Sequence, residues 1–157
     1  MRGKKPIVRE SCIVDVEFGT NVEIVQPVNI YGCQIGDASF IGPFTEIQKN
    51  VTIGKNCRIQ SHSLICELVA IGNDCFIGHG VMFINDLFDE AGPARGDQTK
   101  WKPTLIGNRV SIGSNSTILP VEIVEGTVIG AGSVVTSDIV ETGIYAGNPA
   151  RLLRRIS

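Results

Sequence analysis

Aliphatic residues return along this chain every six positions. From Ile35 the step runs through Ile41, Ile47, Ile53, Ile59, Ile65, Ile71 and Ile77 to Phe83 without a miss. Backwards it holds at Ile30, Ile24 and Phe18, with one residue dropped between Ile30 and Ile35. After a break it resumes at Ile106, Ile112 and Ile118, drops one residue, and continues at Ile123, Ile129 and Val135. An amphipathic helix needs apolar residues three and four apart, so a period of six held this long argues against helix. Four residues after each anchor stands a small or β-branched residue: Ser39, Thr45, Val51, Cys57, Ser63, Val69, Cys75, Val81. Each small residue precedes the next anchor by two and therefore points to the same face of a short strand, while the glycines between them make turns. Three such edges close a triangular coil of 18 residues. Successive coils stack as parallel strands about 4.8 Å apart, so residues 18 apart lie over one another. The pattern predicts an all-β fold, a parallel β-helix of about six coils.

Two segments leave the period. Residues 84–105 concentrate Gly, Pro, Asp and Lys and form one long excursion loop from a corner; a loop of this length is commonly functional. It holds the only tryptophan, Trp101, placed either against its own coil or against a substrate. At residues 148–157, Asn148 can cap, Pro149 suits a first helical position, and Leu152, Leu153 and Ile156 make an apolar stripe. A short C-terminal helix plugging the coil stack is expected there. The whole chain, 1–157, reads as a single domain. On the outer walls Leu64 lies over Met82, and Phe40 and Phe76 flank Arg58; adjacent apolar side chains on a flat wall call for a cover.

The balance of 14 basic and 16 acidic residues gives no general attraction to nucleic acid or anionic membrane. No apolar run approaches the roughly 18 residues of a membrane span, and the opening MRGKKPIVRE lacks the apolar core of a signal peptide, so the cytoplasm is expected. The five cysteines read as reduced packing residues. Cys57 under Cys75 is a small apolar ladder, although the stacking distance would permit a bond.

The [IV]-G-x4 hexads, with the ending Ala146-Gly147-Asn148-Pro149-Ala150-Arg151, resemble the hexapeptide-repeat acyltransferases over almost the whole chain. The resemblance implies a left-handed coil, against the usual crossover rule, and a homotrimer with active sites in grooves between subunits. The segments RIQSHSLICELVAIGNDCFIGHGVMFINDLF and VSIGSNSTILPVEIVEGTVIGAGSVVTSDIVETGIYAGNPARLLR are similar to sugar-nucleotide N-acetyltransferases. Those act with acetyl-CoA on the 3-amino group of dTDP-linked dideoxyhexoses or UDP-linked uronates for surface polysaccharides. By that likeness Gly113, Ser114, Ala131 and Gly132 offer backbone groups to the pantetheine arm, Asn148, Pro149 and Arg151 lie near the adenine and 3′-phosphate, and Asn85 with Glu67 faces the sugar. Two departures stand out: the usual glycine between Pro120 and Val121 is missing, and Val124 stands where a glycine follows the anchor. Such a shortened corner would shift the coenzyme groove locally.

The residues themselves limit the chemistry. There are two histidines. His79 stacks beside Ser61, 18 positions earlier, which puts both imidazoles at one corner on adjoining coils. Acyl transfer to an amine needs a proton acceptor, for which an imidazole is the ordinary group, and turn N–H groups can receive an oxyanion. His79 is the first candidate base and His62 the second; the departing thiolate is an alternative acceptor. Glu67 and Asn85 share another corner, with Asp86 beside Asn85, and either read sugar hydroxyls or satisfy the departing backbone. Arg151, Arg154 and Arg155 form a guanidinium cluster suited to phosphate. Among rival functions, a γ-type carbonic anhydrase would want three histidines on zinc, and no metal is expected here. A non-catalytic hexapeptide scaffold would need neither the excursion nor the Asn-Pro-Ala-Arg ending. O-acetylation of another small acceptor stays open, since fold does not name the acceptor.

Overall fold

The structure, a computed structural model, describes residues 12–156; the basic opening stretch lies outside the described residues. Three parallel sheets make the walls of a prism. The first holds seven strands: Ile13–Val14, Asn29–Tyr31, Glu46–Ile47, Leu64–Ile65, Met82–Phe83, Thr117–Ile118 and Val134–Val135. The second holds six: Glu17–Phe18, Gln34–Ile35, Thr52–Ile53, Val69–Ile71, Thr104–Ile106 and Glu122–Ile123. The third begins Glu23–Ile24, Phe40–Ile41, Arg58–Ile59, Phe76–Ile77, Ser111–Ile112 and Val128–Ile129, and ends in Gly143–Gly147 and Ala150–Arg155. Anchors stack on anchors, Ile41 on Ile59 and Ile59 on Ile77. There are about seven turns where about six were expected, because the eighteen anchors are extended by a first strand, Ile13–Val14, five residues before Phe18, and by two later edges, the Ile139 bridge to Ile123 and the strand Gly143–Gly147.

Packing explains the period. Ile30, Ile41, Ile47, Ile59, Ile65, Ile77, Ile112 and Ile118 have no exposed surface, and burying each aliphatic side chain contributes about 1.5–3 kcal/mol. The small residues between them close the interior and satisfy turn carbonyls. Ser39 Oγ donates to the Gly54 carbonyl at 2.9 Å and Ser63 Oγ to that of Gly78 at 3.0 Å. The thiols do the same: Cys57 Sγ reaches the Gly72 carbonyl and Cys75 Sγ that of Gly107, both at 3.1 Å. Both are free cysteines, so the Cys57–Cys75 ladder is one of packing. Among the described residues no helix is long and apolar enough to cross a membrane.

The C-terminal segment is not a helix. Gly143–Gly147 and Ala150–Arg155 pair antiparallel around an Asn148-Pro149 turn with a cis bond, and Leu152, Leu153 and Ile156 are exposed instead of plugging the stack. Strand Gly143–Gly147 pairs with Val128–Ile129 and would otherwise offer a bare edge; the returning strand takes up those backbone groups. A lone helix of this length would also be marginal in water.

The excursion departs after Phe83 and rejoins the coil at Thr104, so it ends two residues short of its expected limit of 105, because Thr104 and Leu105 pair with Val69 and Ala70. The Lys102 N–H donates to the Asn85 carbonyl at 2.9 Å and ties the root. A 3-10 turn, Gln98–Lys100, is capped by Asp97, and Lys102 Nζ lies 2.6 Å from Asp89.

Candidate functional site

The prism has three corners, and sequence decides what each presents. Between the second and third sheets, side chains serve the backbone: Asn73 Oδ1 accepts the Lys55 N–H at 2.8 Å and Asn108 Oδ1 the Asn73 N–H at 2.7 Å. The other two corners carry the candidate chemistry.

Between the third and first sheets lies the histidine corner. From Gly42 onward each turn there runs glycine or glutamine, then a second residue, then a third held at positive φ: 60° at Phe44, 63° at His62, 66° at Gly80, 58° at Asn115 and 69° at Gly132. The third residue donates its N–H to the second residue one coil earlier, as Gly80 does to the Ser61 carbonyl (3.0 Å) and Asn115 to that of His79 (2.8 Å). The second residues therefore form a fixed vertical row, Ser61, His79, Ser114, Ala131. His79 is exposed, yet its placement is determined. Nδ1 lies 2.8 Å from Ser61 Oγ on one side, and the backbone N–H donates to Ser114 Oγ at 3.2 Å on the other. His62 is one coil and one position away, its ring against that of Phe44 with centroids 4.9 Å apart. Both histidines do share a corner on adjoining coils, but their rings have different partners.

All four residues expected along the pantetheine arm fall on this same edge. Gly113 and Ser114 follow Ser111–Ile112, and Ala131 and Gly132 follow Val128–Ile129. A methyl group built on Gly132 would meet nothing within 4 Å, so the edge is open at that position, whereas one built on Gly113 would press on the Ala131 nitrogen at 2.4 Å. The shortened corner leaves this row undisturbed: it lies between the first and second sheets, and Ser111 still stands on Val128. The track continues into the hairpin, because Tyr145 stands on Ile129 and the Gly147 N–H donates to Ser133 Oγ at 3.2 Å. Asn148 and Pro149 form its exposed turn. Arg151 and Arg154 lie exposed on the returning strand, whereas Arg155 is paired to Glu141.

The third edge, between the first and second sheets, holds Glu67 and Asn85. Glu67 is 7% exposed. Its N–H donates to Gln48 Oε1 at 3.2 Å, its carboxylate lies 3.7 Å from Lys49 Nζ, and Asn85 Nδ2 donates to its backbone carbonyl at 3.3 Å. Gln48 Nε2 in turn donates to Glu46 Oε1 at 2.7 Å. Burial, then the Glu46 and Glu67 carboxylates, push the Tyr31 hydroxyl above its ordinary value. Asp86 points its carboxylate back into the excursion, accepting the Phe88 N–H at 3.0 Å and the Ala94 N–H at 2.7 Å, and these bonds hold it below the usual carboxylate range. Glu67 and Asn85 are thus together, but the first sheet separates them from His79 within one chain. Phe44 and Lys49 were not singled out from the sequence, although each stands 18 before a chosen residue, His62 and Glu67. A groove of about 570 Å³ along Ala70, Leu105, Val124 and Val140 lies on the second sheet and contains neither histidine.

The bacterial transferase hexapeptide family (six repeats) matches residues 32–67, and the hexapeptide repeat of succinyl-transferase matches 103–137. The bifunctional protein GlmU of Clostridium beijerinckii is 32% identical over 152 residues, covering 86% of this chain and 31% of that protein. The chain spans about a third of the length of the curated relatives it matches. A variant of AntD, an N-acyltransferase from Bacillus cereus, in complex with dTDP and coenzyme A, superposes with a TM-score of 0.78 at 27% identity, covering 90% of this chain and 84% of that one. A hexapeptide-repeat-containing acetyltransferase from Vibrio cholerae, complexed with acetyl coenzyme A, gives 0.66 at 27% identity, with 80% and 72% covered. With matched repeats on both sides of the excursion and a shared solenoid, the chain is a hexapeptide-repeat protein similar to bacterial acyltransferases.

Proposed function

We propose that this protein is an acetyl-coenzyme A-dependent N-acetyltransferase whose acceptor is the amino group of a nucleotide-linked sugar, a dTDP-3-amino-3,6-dideoxyhexose or a UDP-3-amino sugar. The observation that carries the proposal is the single edge on which an imidazole with a pinned Nδ1 stands directly beside a row of small residues that is open at Gly132. Support comes from the similarity to AntD, an N-acyltransferase in complex with dTDP and coenzyme A.

Acetyl-coenzyme A, when bound, supplies an activated acyl carbonyl as its thioester. Gly113, Ser114, Ala131 and Gly132 line its arm, and Asn148, Pro149, Arg151 and Arg154 receive its nucleotide end, the two arginines by charge. His79 serves as base with Nδ1–H donated to Ser61 Oγ, which leaves the Nε2 lone pair outward for the proton the attacking amine gives up. His62, its ring engaged by Phe44, is the second candidate. Glu67 and Asn85 receive the sugar, with Asp86 shaping the loop root beside them.

One chain separates those two groups, so the working unit is a homotrimer in which the glutamate corner of one copy faces the histidine corner of the next. The product, an acetamido sugar nucleotide made in the cytoplasm, would serve surface polysaccharide synthesis. Thiol release measured against a panel of dTDP- and UDP-linked amino sugars tests the proposal. Turnover of at least one is expected; turnover of simple alcohols alone, with none of the amino sugars, would reassign the enzyme to O-acetylation.

A further inference from the structure

On the histidine edge, the track reserved for the acyl donor runs from His79 toward the later coils, through Ser114, Ala131 and the Asn148-Pro149 turn. The acceptor must therefore approach from the earlier coils, and those coils present something the later ones do not. At the third corner position, where the backbone is left-handed, later turns use Gly80, Asn115 and Gly132, residues that adopt this conformation readily. The two earlier turns use Phe44 (φ 60°) and His62 (φ 63°). A bulky ring in the left-handed region is unfavourable and, where it persists, points to a use. Among coil corners in the described residues only these two place a ring there; Leu68 and Arg109 are the other large side chains.

The two rings lie 4.9 Å apart at 32°, and both are exposed, Phe44 at 59%. A phenyl ring left this open on a rigid turn, backed by an imidazole, is a face on which a third planar group can stack. On the neighbouring strand of the same coil as His62 stands Arg58, its guanidinium 4.8 Å from the centre of the Phe40 ring. No ion pair with a carboxylate engages Arg58 among the described residues. Stacking orients a guanidinium while leaving its N–H groups available to phosphate oxygens.

We infer that Phe44 and His62 form the platform for the planar base of the acceptor nucleotide and that Arg58 receives its diphosphate. The inference rests on the nucleotide-sugar acceptor proposed above. Phe44 is two coil rises, roughly 10 Å, from His79 along the edge, a gap that a hexose and a diphosphate bridge. The acceptor thus runs along the corner with its base toward the first coils and its amine at His79, and the acyl donor meets it from the opposite end. His62 belongs to this platform, which removes it from proton transfer.

Calorimetric titration of the intact protein with dTDP, UDP and inorganic pyrophosphate tests this. Phe44→Ala is expected to weaken the tighter nucleoside diphosphate at least fivefold, leaving pyrophosphate and acetyl-coenzyme A binding unchanged, with Phe44→Tyr restoring affinity. Arg58→Ala is expected to weaken the nucleotide and pyrophosphate alike. Unchanged nucleotide binding in Phe44→Ala overturns the platform while leaving the acceptor class intact. Binding of neither nucleotide by the wild-type protein overturns both. A fall in sedimentation coefficient in Phe44→Ala would instead assign the rings to a contact between copies and also overturn the platform. Circular dichroism identical to wild type is the control for folding.

Discussion

His79 and Ser61 occupy the same position on successive coils, and the imidazole Nδ1 lies 2.8 Å from the serine hydroxyl. If that contact selects the tautomer with a bare Nε2, losing either partner lowers the rate by a different route. His79→Ala is expected to slow acetyl transfer at least tenfold with acetyl-coenzyme A binding retained, the size expected for a general base. An unchanged rate would hand the proton to the departing thiolate. Ser61→Ala leaves the imidazole present but unoriented; a smaller fall, about threefold to tenfold, is expected in kcat, accompanied by a displaced pH–rate profile. An unmoved profile would reduce Ser61 to packing.

Arg151 and Arg154 are exposed on the returning strand, while Arg155 is engaged by Glu141. Arg151→Ala should weaken acetyl-coenzyme A more than its dephospho analogue, since only the former carries the 3′-phosphate. Equal weakening, compared by competitive titration, rejects the phosphate role; Arg155→Ala serves as the control.

The proposed site between copies makes a mixing prediction. His79→Ala and Glu67→Gln trimers, each impaired alone, should recover part of wild-type activity when unfolded together and refolded as mixed trimers, because some interfaces then pair an intact histidine corner with an intact glutamate corner. No recovery, or a monomer in sedimentation, would confine the site to one chain.

The Asp86 carboxylate accepts the backbone N–H groups of Ala94 and Phe88 and is held below its ordinary value by those bonds. A carboxyl depressed in the folded state stabilises the fold above its unfolded value and ceases to do so as pH falls through the depressed one. Acid should accordingly loosen the excursion before the coils. Protection factors at the Ala94 and Phe88 amides, measured by hydrogen exchange and corrected for the intrinsic pH dependence of the rate, are expected to fall as the pH drops below the usual carboxylate range, and Asp86→Asn should show part of that loss at neutral pH. Coil amides that open together with them would contradict this order.

Burial pushes the Cys66 thiol up to about 12 and the Cys33 thiol up to about 11, whereas Cys12 is exposed. The thiolate is the reactive form. Maleimide at pH 8 should therefore label Cys12 rapidly and the buried thiols only on unfolding, as peptide mass mapping would report. Fast labelling of Cys66 would mean that its coil opens.

The architecture was legible because interior and period are one constraint: an isoleucine such as Ile59 must fall on Ile41 and Ile77, so six-residue spacing survives every change of polar residue between them. The same vertical rule placed His79 beside Ser61 and Glu67 near Asn85. It fell short where position is not inherited from the coil below. Leu152 and Leu153 carry a helical stripe in sequence, yet an unpaired strand edge beside them determined the outcome. Asp86 adjoins a residue of the glutamate corner, but its carboxylate is drawn to amides eight residues or fewer away, which no coil register encodes. Phe44 was hidden because a phenylalanine in a repeat protein reads as filling until its left-handed backbone is seen.

The returning strand Ala150–Arg155 has one further consequence. Parallel stacks are templates, and a bare final rung invites identical rungs from other molecules until a fibril grows. Here the last rung runs the opposite way and bears the exposed guanidinium groups of Arg151 and Arg154, so an incoming copy meets reversed polarity and like charge. Solubility at high concentration is thereby built into the same few residues that are proposed to greet a phosphate.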